Sequence, residues 1–343
     1  MKFSKIVLPG IAMIATSYGL GRFSFGLFLP SISNDLNLNA TQAGLISSLF
    51  YLAYCFTIIY ATLKTDSVGP KLMILFAGLS VLIGLMFTGV TAMLPFLNWR
   101  MTYLIYSVIA IIVIIWNYYA IPSLNKELKI ETGSFNIRDV STSKKIIVAS
   151  TILGFSTAPF WTFSKSFVES IGTYSNVSLS VFWILIGVFG MVGGMSGAMI
   201  DRYGLRFAYM IGVIFLSLAS IVLAFAYHLW MIPFIASSLF GASYIFITGV
   251  LLVWGVKVFL KNASLGIGIP FLMLAVGQVL GSVVAGSLVD QFNYTMTFLI
   301  YGLIGMIALF IYPKVNVKPM KVDESEDYTK VQLKNKDVLN IED

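Results

Sequence analysis

Ten apolar runs follow one another along this chain, each at least 20 residues long and separated by short polar turns: about 6–29, 41–63, 70–95, 99–121, 145–168, 177–200, 206–227, 230–256, 264–289 and 294–313. At 1.5 Å per residue, a helix of roughly 20 residues crosses the ~30 Å hydrocarbon layer. A helix satisfies its own backbone in lipid, which an open strand does not. Continuous runs of Ile, Leu, Phe and Gly lack the alternation of a β-barrel strand. The runs therefore predict an all-α, polytopic membrane protein, a helical bundle with about ten transmembrane helices.

Composition agrees. Charged residues make up 11% of the chain and hydrophobic ones 58%, whereas a soluble domain carries roughly 25% charged residues. The net charge of +7 does not point to nucleic acid, because the basic residues are scattered singly through the turns. It reports orientation instead. With the N-terminus inside, all but three of the 22 basic residues (Arg22, Arg100 and Lys165) fall at cytoplasmic ends, turns or tail, as the positive-inside rule requires. Both termini are then cytoplasmic, in a multi-pass protein of the cell membrane. The first run has only Lys2 and Lys5 ahead of it and outlasts a signal peptide, so a retained span is expected. The single cysteine, Cys55, lies inside an apolar run and is expected in the packed core, with no intrachain disulfide possible.

Two turns stand out. Gly197-Ala198-Met199-Ile200-Asp201-Arg202-Tyr203-Gly204-Leu205-Arg206 wedges charges where two spans meet, and a looser copy, Asp66-Ser67-Val68-Gly69-Pro70-Lys71, follows the second span. Two such turns imply an internal repeat. The polar stretch 122–144 reads as the cytoplasmic linker between an N-terminal half (1–121) and a C-terminal half (145–313). Residues 314–343 read as a cytoplasmic tail with no fold of its own.

Spelled Gly-x-x-x-Asp-Arg-x-Gly-x-Arg, the first turn resembles the cytoplasmic loop signature of the major facilitator superfamily of secondary transporters. Further segments look like that family in the same order along the chain. These are Tyr18-Gly19-Leu20-Gly21-Arg22-Phe23, Leu29-Pro30, Thr41-Gln42-Ala43-Gly44, Trp99-Arg100, Gly277-Gln278-Val279-Leu280-Gly281 and Gly286-Ser287-Leu288-Val289-Asp290. The resemblance implies a helical bundle of two halves that moves a small solute by alternating access. It also implies twelve spans, six per half, while this sequence shows four and then six. What corresponds to the fourth and most of the fifth span is missing between Gly89-Val90-Thr91-Ala92-Met93-Leu94-Pro95 and Trp99. By resemblance, Asp66, Gly69, Lys71, Gly197, Asp201, Arg202, Gly204 and Arg206 form the gating motif. The partner helix for Asp201 would be the absent fifth span, and Asp66 would meet the span 264–289.

Arg22 in the first span and Lys165 in the fifth are the cations that most need a reason, since a buried charge in lipid costs several kcal/mol. If the halves are pseudo-symmetric, the two approach one cavity from opposite sides and favour an anionic solute. The competing readings are snorkelling or a bond to a neighbouring carbonyl, and for Lys165 an i, i+4 pair with Glu169. Tyr18, Tyr51, Tyr54, Trp161, Tyr244 and Gln278 lie at plausible cavity depth, with core packing as the plainer alternative. Trp99, Trp230 and His228 suit the outer interface. Asn39-Ala40-Thr41, Asn176-Val177-Ser178 and Asn293-Tyr294-Thr295 match the glycosylation sequon.

No Asp or Glu sits in the middle of a span, so no proton-coupling carboxylate is named beyond Glu169 as a candidate. The lone histidine supports neither a metal site nor a catalytic relay, no phosphate-binding loop is present, and no cofactor or enzymatic activity is expected. The expected partners are the bilayer, a small organic solute, and a coupling proton or exchanged anion. A monomer is expected, and nucleic acid is not. The alternative is a non-transporting relative, serving as a remnant, receptor or partner subunit.

Overall fold

The computed structural model describes residues 4–22, 24–90, 99–121, 143–259 and 263–313. The predicted linker, apart from its last two residues, and the tail lie outside the described residues, as does 91–98, where the missing spans were inferred. Among the described residues the order is α1 (Ser4–Ile14), a π-helical segment (Ala15–Arg22), α2 (Ser24–Leu36), α3 (Ala40–Val68), α4 (Pro70–Val90) and α5 (Trp99–Ala120). Then follow α6 (Lys144–Ser170), α7 (Asn176–Gly193), α8 (Ser196–Tyr203), α9 (Leu205–Ala224), α10 (Ile232–Val258), α11 (Ala263–Gln291), α12 (Tyr294–Ile307) and a 3₁₀ turn (Ala308–Phe310). No strand occurs among them.

Seven of these helices are long and apolar enough to cross a membrane: those of α3, α5, α6, α7, α9, α10 and α11. The other three predicted spans fall on the interrupted run from Ser4 to Leu36, on Pro70–Val90, and on the shorter apolar helix Tyr294–Phe310. The interruption has a local cause. Gly19 and Gly21 lie in the π-helical segment that ends on Arg22, and such widened turns recur at functional sites in membrane helices.

Helix starts are built from side-chain caps. At α3, Asn39 Oδ1 accepts from the Gln42 N–H (2.8 Å) and Gln42 Oε1 accepts from the Asn39 N–H (3.1 Å), a reciprocal capping box. Asn293 Oδ1 accepts from the Met296 N–H at 2.9 Å at the start of α12, and Ser175 caps α7, whose first residue is Asn176. All three sequon matches therefore lie at helix N-termini, where Asn39, Ser175 and Asn293 satisfy free backbone N–H groups.

The densest core joins α6, α9, α10, α11 and α12, with Leu153, Phe160, Phe167, Tyr209, Phe240 and Phe298 almost fully buried. The N-terminal group is held by α5, which packs on α4 and α1. There the fully buried Asn117 donates through Nδ2 to the carbonyls of Pro9 (3.0 Å) and Val113 (2.9 Å), a polar tie of the kind that fastens helices in lipid. Helix α3 belongs to the N-terminal group in sequence, yet its main packing partner is α11.

The two signature turns share one construction. Gly69 ends α3 at φ 91° and Gly204 ends α8 at φ 87°, each three residues after the motif aspartate. Two residues further on, Lys71 Nζ lies 5.0 Å from the ring centre of Tyr118 near the end of α5, and the Arg206 guanidinium lies 4.0 Å from that of Tyr312 beyond α12. The repeat inferred from sequence thus has matching geometry in both groups. Gly204→Ala forces an L-residue into the left-handed region and is expected to cost about 1–2 kcal/mol. Its comparison is Gly197→Ala, where an added methyl meets nothing within 4 Å. Thermal melts in detergent should show only the first substitution lowering the transition.

Candidate functional site

Tyr51 on α3, Trp161 on α6, Tyr244 on α10 and Gln278 on α11 each lie roughly 14–20 Å from the end of the bundle that bears the α2–α3 turn, at 1.5 Å per residue. That is near the middle of a ~30 Å layer. All four are buried. The Trp161 ring lies 5.1 Å from Tyr244 at 80° and 5.1 Å from Phe240 at 73°, both edge-on, and 6.3 Å from Trp183. Gln278 Nε2 donates to the Tyr244 hydroxyl at 3.4 Å. The structure thus joins Trp161, Tyr244 and Gln278 into one cluster and adds Phe240 and Trp183, which the sequence reading had not singled out. Tyr51 is placed at the same depth on the facing helix. The side chains of Tyr18 and Arg22 lie outside the described residues.

Between this cluster and the α2–α3 end, three polar ties join the N-terminal and C-terminal groups. Ser47 and Thr162 share a buried hydroxyl–hydroxyl bond of 2.8 Å. One helical turn beyond Trp161, Lys165 Nζ donates to the Leu27 carbonyl at 2.7 Å, so one of its N–H groups is already engaged on α2. Pro30 loosens that stretch of α2 by withholding the N–H that a regular helix would give to the carbonyl of residue 26. At the membrane boundary, Asp290 accepts from the N–H of Ala40 (3.1 Å), the N–H of Thr41 (2.7 Å) and the Thr41 hydroxyl (2.6 Å). A carboxylate from α11 therefore caps α3, a favourable place for negative charge. Small residues permit this contact, since a methyl on Gly44 would overlap the Ser282 carbonyl and one on Gly286 would overlap that of Ala40.

The Asp290 cap was missed from sequence. Its signal was present in the acidic end of Gly286-Ser287-Leu288-Val289-Asp290, but its partner stands 249 residues away.

At the opposite end the signature residues behave differently. Asp201 and Arg202 are exposed and Gly197 faces open space. Arg206 rests on Tyr312 and Lys71 on Tyr118 within their own groups. The Asp66 side chain lies outside the described residues. Among the described residues, His, Cys, Asp and Glu form no metal-holding group.

An all-helical bundle of apolar spans, built on a repeated turn and joined across its two groups at mid-depth and at one end, defines a polytopic membrane protein. Residues 195–340 match the family model of the Major Facilitator Superfamily. The crystal structure of the nucleoside transporter NupG shares the fold, with a TM-score of 0.50 at 15% identity, over 88% of this chain and 89% of that one. A mutant of the same transporter gives 0.51 at 14% identity with the same coverage. No curated protein matches in sequence. The loop signature read from the sequence lies within the residues that the family model matches, and the fold is shared with that solved structure over most of the chain.

Proposed function

We propose that this chain is a secondary transporter that carries a small organic solute across the membrane by alternating access. The observation that carries the reading is the set of ties across the two groups. Ser47–Thr162, Lys165–Leu27 and Asp290–Thr41 close one side of the mid-depth cluster, as a carrier closed on that side requires. On the strength of the basic turns, we place that side outside the cell and both termini in the cytoplasm. The solute is an anion in this reading. Lys165 keeps two further N–H donors beside the one given to Leu27, and it stands one turn from the Trp161–Tyr244–Gln278 cluster. Arg22 ends the π-helical break in the same span as Leu27. A half-buried cation one turn from an aromatic cluster suits a carboxylate or phosphate on an apolar body.

A second reading has its own observation. Asp201 is exposed and a methyl on Gly197 would meet nothing within 4 Å, so the closure expected of the signature lacks a counterpart among the described residues. That favours a receptor or partner subunit that keeps the fold without the cycle.

Proteoliposome uptake separates the two. The panel holds organic anions and, because the fold neighbour is a nucleoside transporter, nucleosides. The chain is compared with Arg22→Ala and Lys165→Ala, each checked for a native melt. Flux of an anion that falls at least about tenfold in either variant, the loss of one charge-assisted bond, supports the carrier and the anion site. Flux of neutral solutes unaffected by either variant keeps the carrier and removes the anion. No flux of any member by folded protein favours the second reading.

A further inference from the structure

We propose that the groove between α7–α8, α9 and α10 binds an anionic phospholipid of the surrounding bilayer, with an acyl chain in the groove and the phosphate at Arg202. The groove follows from the packing. Helix α10 packs along both α7 and α9, while α8 and α9 meet at the Gly204 turn, leaving a wedge over α10 between them. The cavity measures about 460 Å³ and is walled by Val192, Met195, Met199, Phe215, Leu239 and Phe246. Ser243 also lines it, but its hydroxyl is bonded to the Leu239 carbonyl at 2.6 Å, so the floor presents no free polar group there.

Depth and charge identify the occupant. From Leu205 at the turn to Phe215 the groove descends roughly 15 Å at 1.5 Å per residue, half of a ~30 Å core and therefore one leaflet. Its mouth carries Arg202 and Tyr203. The exposed guanidinium lies 5.2 Å from the Tyr203 ring centre, an aromatic–cation pair at the headgroup level. Arg206 and Lys257 stand at the same end of the bundle, where Asp201 is the acidic residue of this turn. An apolar trough one leaflet deep, ending in a cation at the interface, is complementary to a phospholipid with an anionic head.

The test uses the purified full chain in detergent with phosphatidylglycerol and phosphatidylcholine of identical acyl chains, and native mass spectrometry reads the lipid retained. The proposal expects phosphatidylglycerol to be kept over phosphatidylcholine. Arg202→Gln should lower phosphatidylglycerol retention about fivefold, the value of one interfacial cation, towards that of phosphatidylcholine. Ala242→Phe, which fills the groove, should remove both lipids. Because Arg202 is exposed, its variant keeps the fold and carries the test alone if Ala242→Phe misfolds. Equal retention of the two lipids by the unaltered chain overturns the proposal. So does phosphatidylglycerol retention unchanged in folded Arg202→Gln, or a change in oligomeric mass in place of lipid content. Solute flux plays no part in this readout, so it stands or falls apart from transport.

Discussion

Gly154→Val is expected to prevent the C-terminal helices from assembling, or to lower their melting temperature by on the order of 5 °C or more. A methyl on Gly154 would overlap the Leu274 carbonyl, and across the same contact one on Gly277 would overlap that of Thr151. Helices α6 and α11 thus touch backbone to backbone. The obstacle is a carbonyl held in a helix, not the far end of a side chain, so no rotamer change relieves it. Overpacking of a tight core costs about 1–3 kcal/mol, and two branched methyls against fixed backbone belong at or above the top of that range. Gly187→Ala provides the contrast, since a methyl there meets nothing within 4 Å and the better helix former gains up to about 1 kcal/mol. Detergent melts of the two variants decide the matter. If Gly154→Val melts with the unaltered chain, the close approach of α6 and α11 is wrong.

Asp290→Ala removes three acceptor bonds that tie α11 to the start of α3. Charge-assisted bonds contribute about 1.5–3 kcal/mol each when protected. Asp290 is exposed, so solvent and salt screen much of this, and a total near 2 kcal/mol is reasonable. That is a change of roughly 30-fold in the ratio of closed to open forms. Ser47 reports it, because it is buried against Thr162 behind this cap. Cys55 is the chain's one cysteine, so Cys55→Ala supplies a thiol-free background for Ser47→Cys. Membrane-impermeant maleimide applied to each face should label that cysteine at least about tenfold faster, from the α2–α3 side, once Asp290 is lost. Asp290→Asn, which keeps an acceptor oxygen but not the charge, should fall between. Equal labelling rates in all three would mean that the cap holds no door.

Both results depend on contacts that the sequence shows only in part. The glycines of α6 and α11 were visible, and Gly277 and Gly281 were already recognised as belonging to a packed span. Which carbonyl each glycine faces depends on how the helices cross, and apolar runs do not encode crossing in any local pattern. The repeated turn was more legible. A positive φ at Gly69 and Gly204 follows from helix-ending geometry at an aspartate-spaced glycine, a rule confined to a few neighbouring residues. The tyrosines that receive Lys71 and Arg206 are distant in sequence and were not foreseen.

Lys165 shows where local reading stops. Its cost in lipid announced that it needs a partner, and three kinds of partner were open. The packing of α6 on α2 supplied one of them, the Leu27 carbonyl.

From sequence alone came the all-helical bundle, its membrane setting, the repeat and the resemblance carried by the loop signature, because span length, apolar content and turn chemistry are local quantities that a bilayer reads directly. Only the tertiary structure decided which end carries the ties between the two groups, that α3 packs on α11, that Asp290 caps α3, and that an apolar wedge opens over α10. These follow from the relative placement of helices whose lipid-facing and partner-facing residues are equally apolar. Hydrophobicity therefore carries no information about which neighbour each face meets, and that choice is left to shape and to a few polar groups.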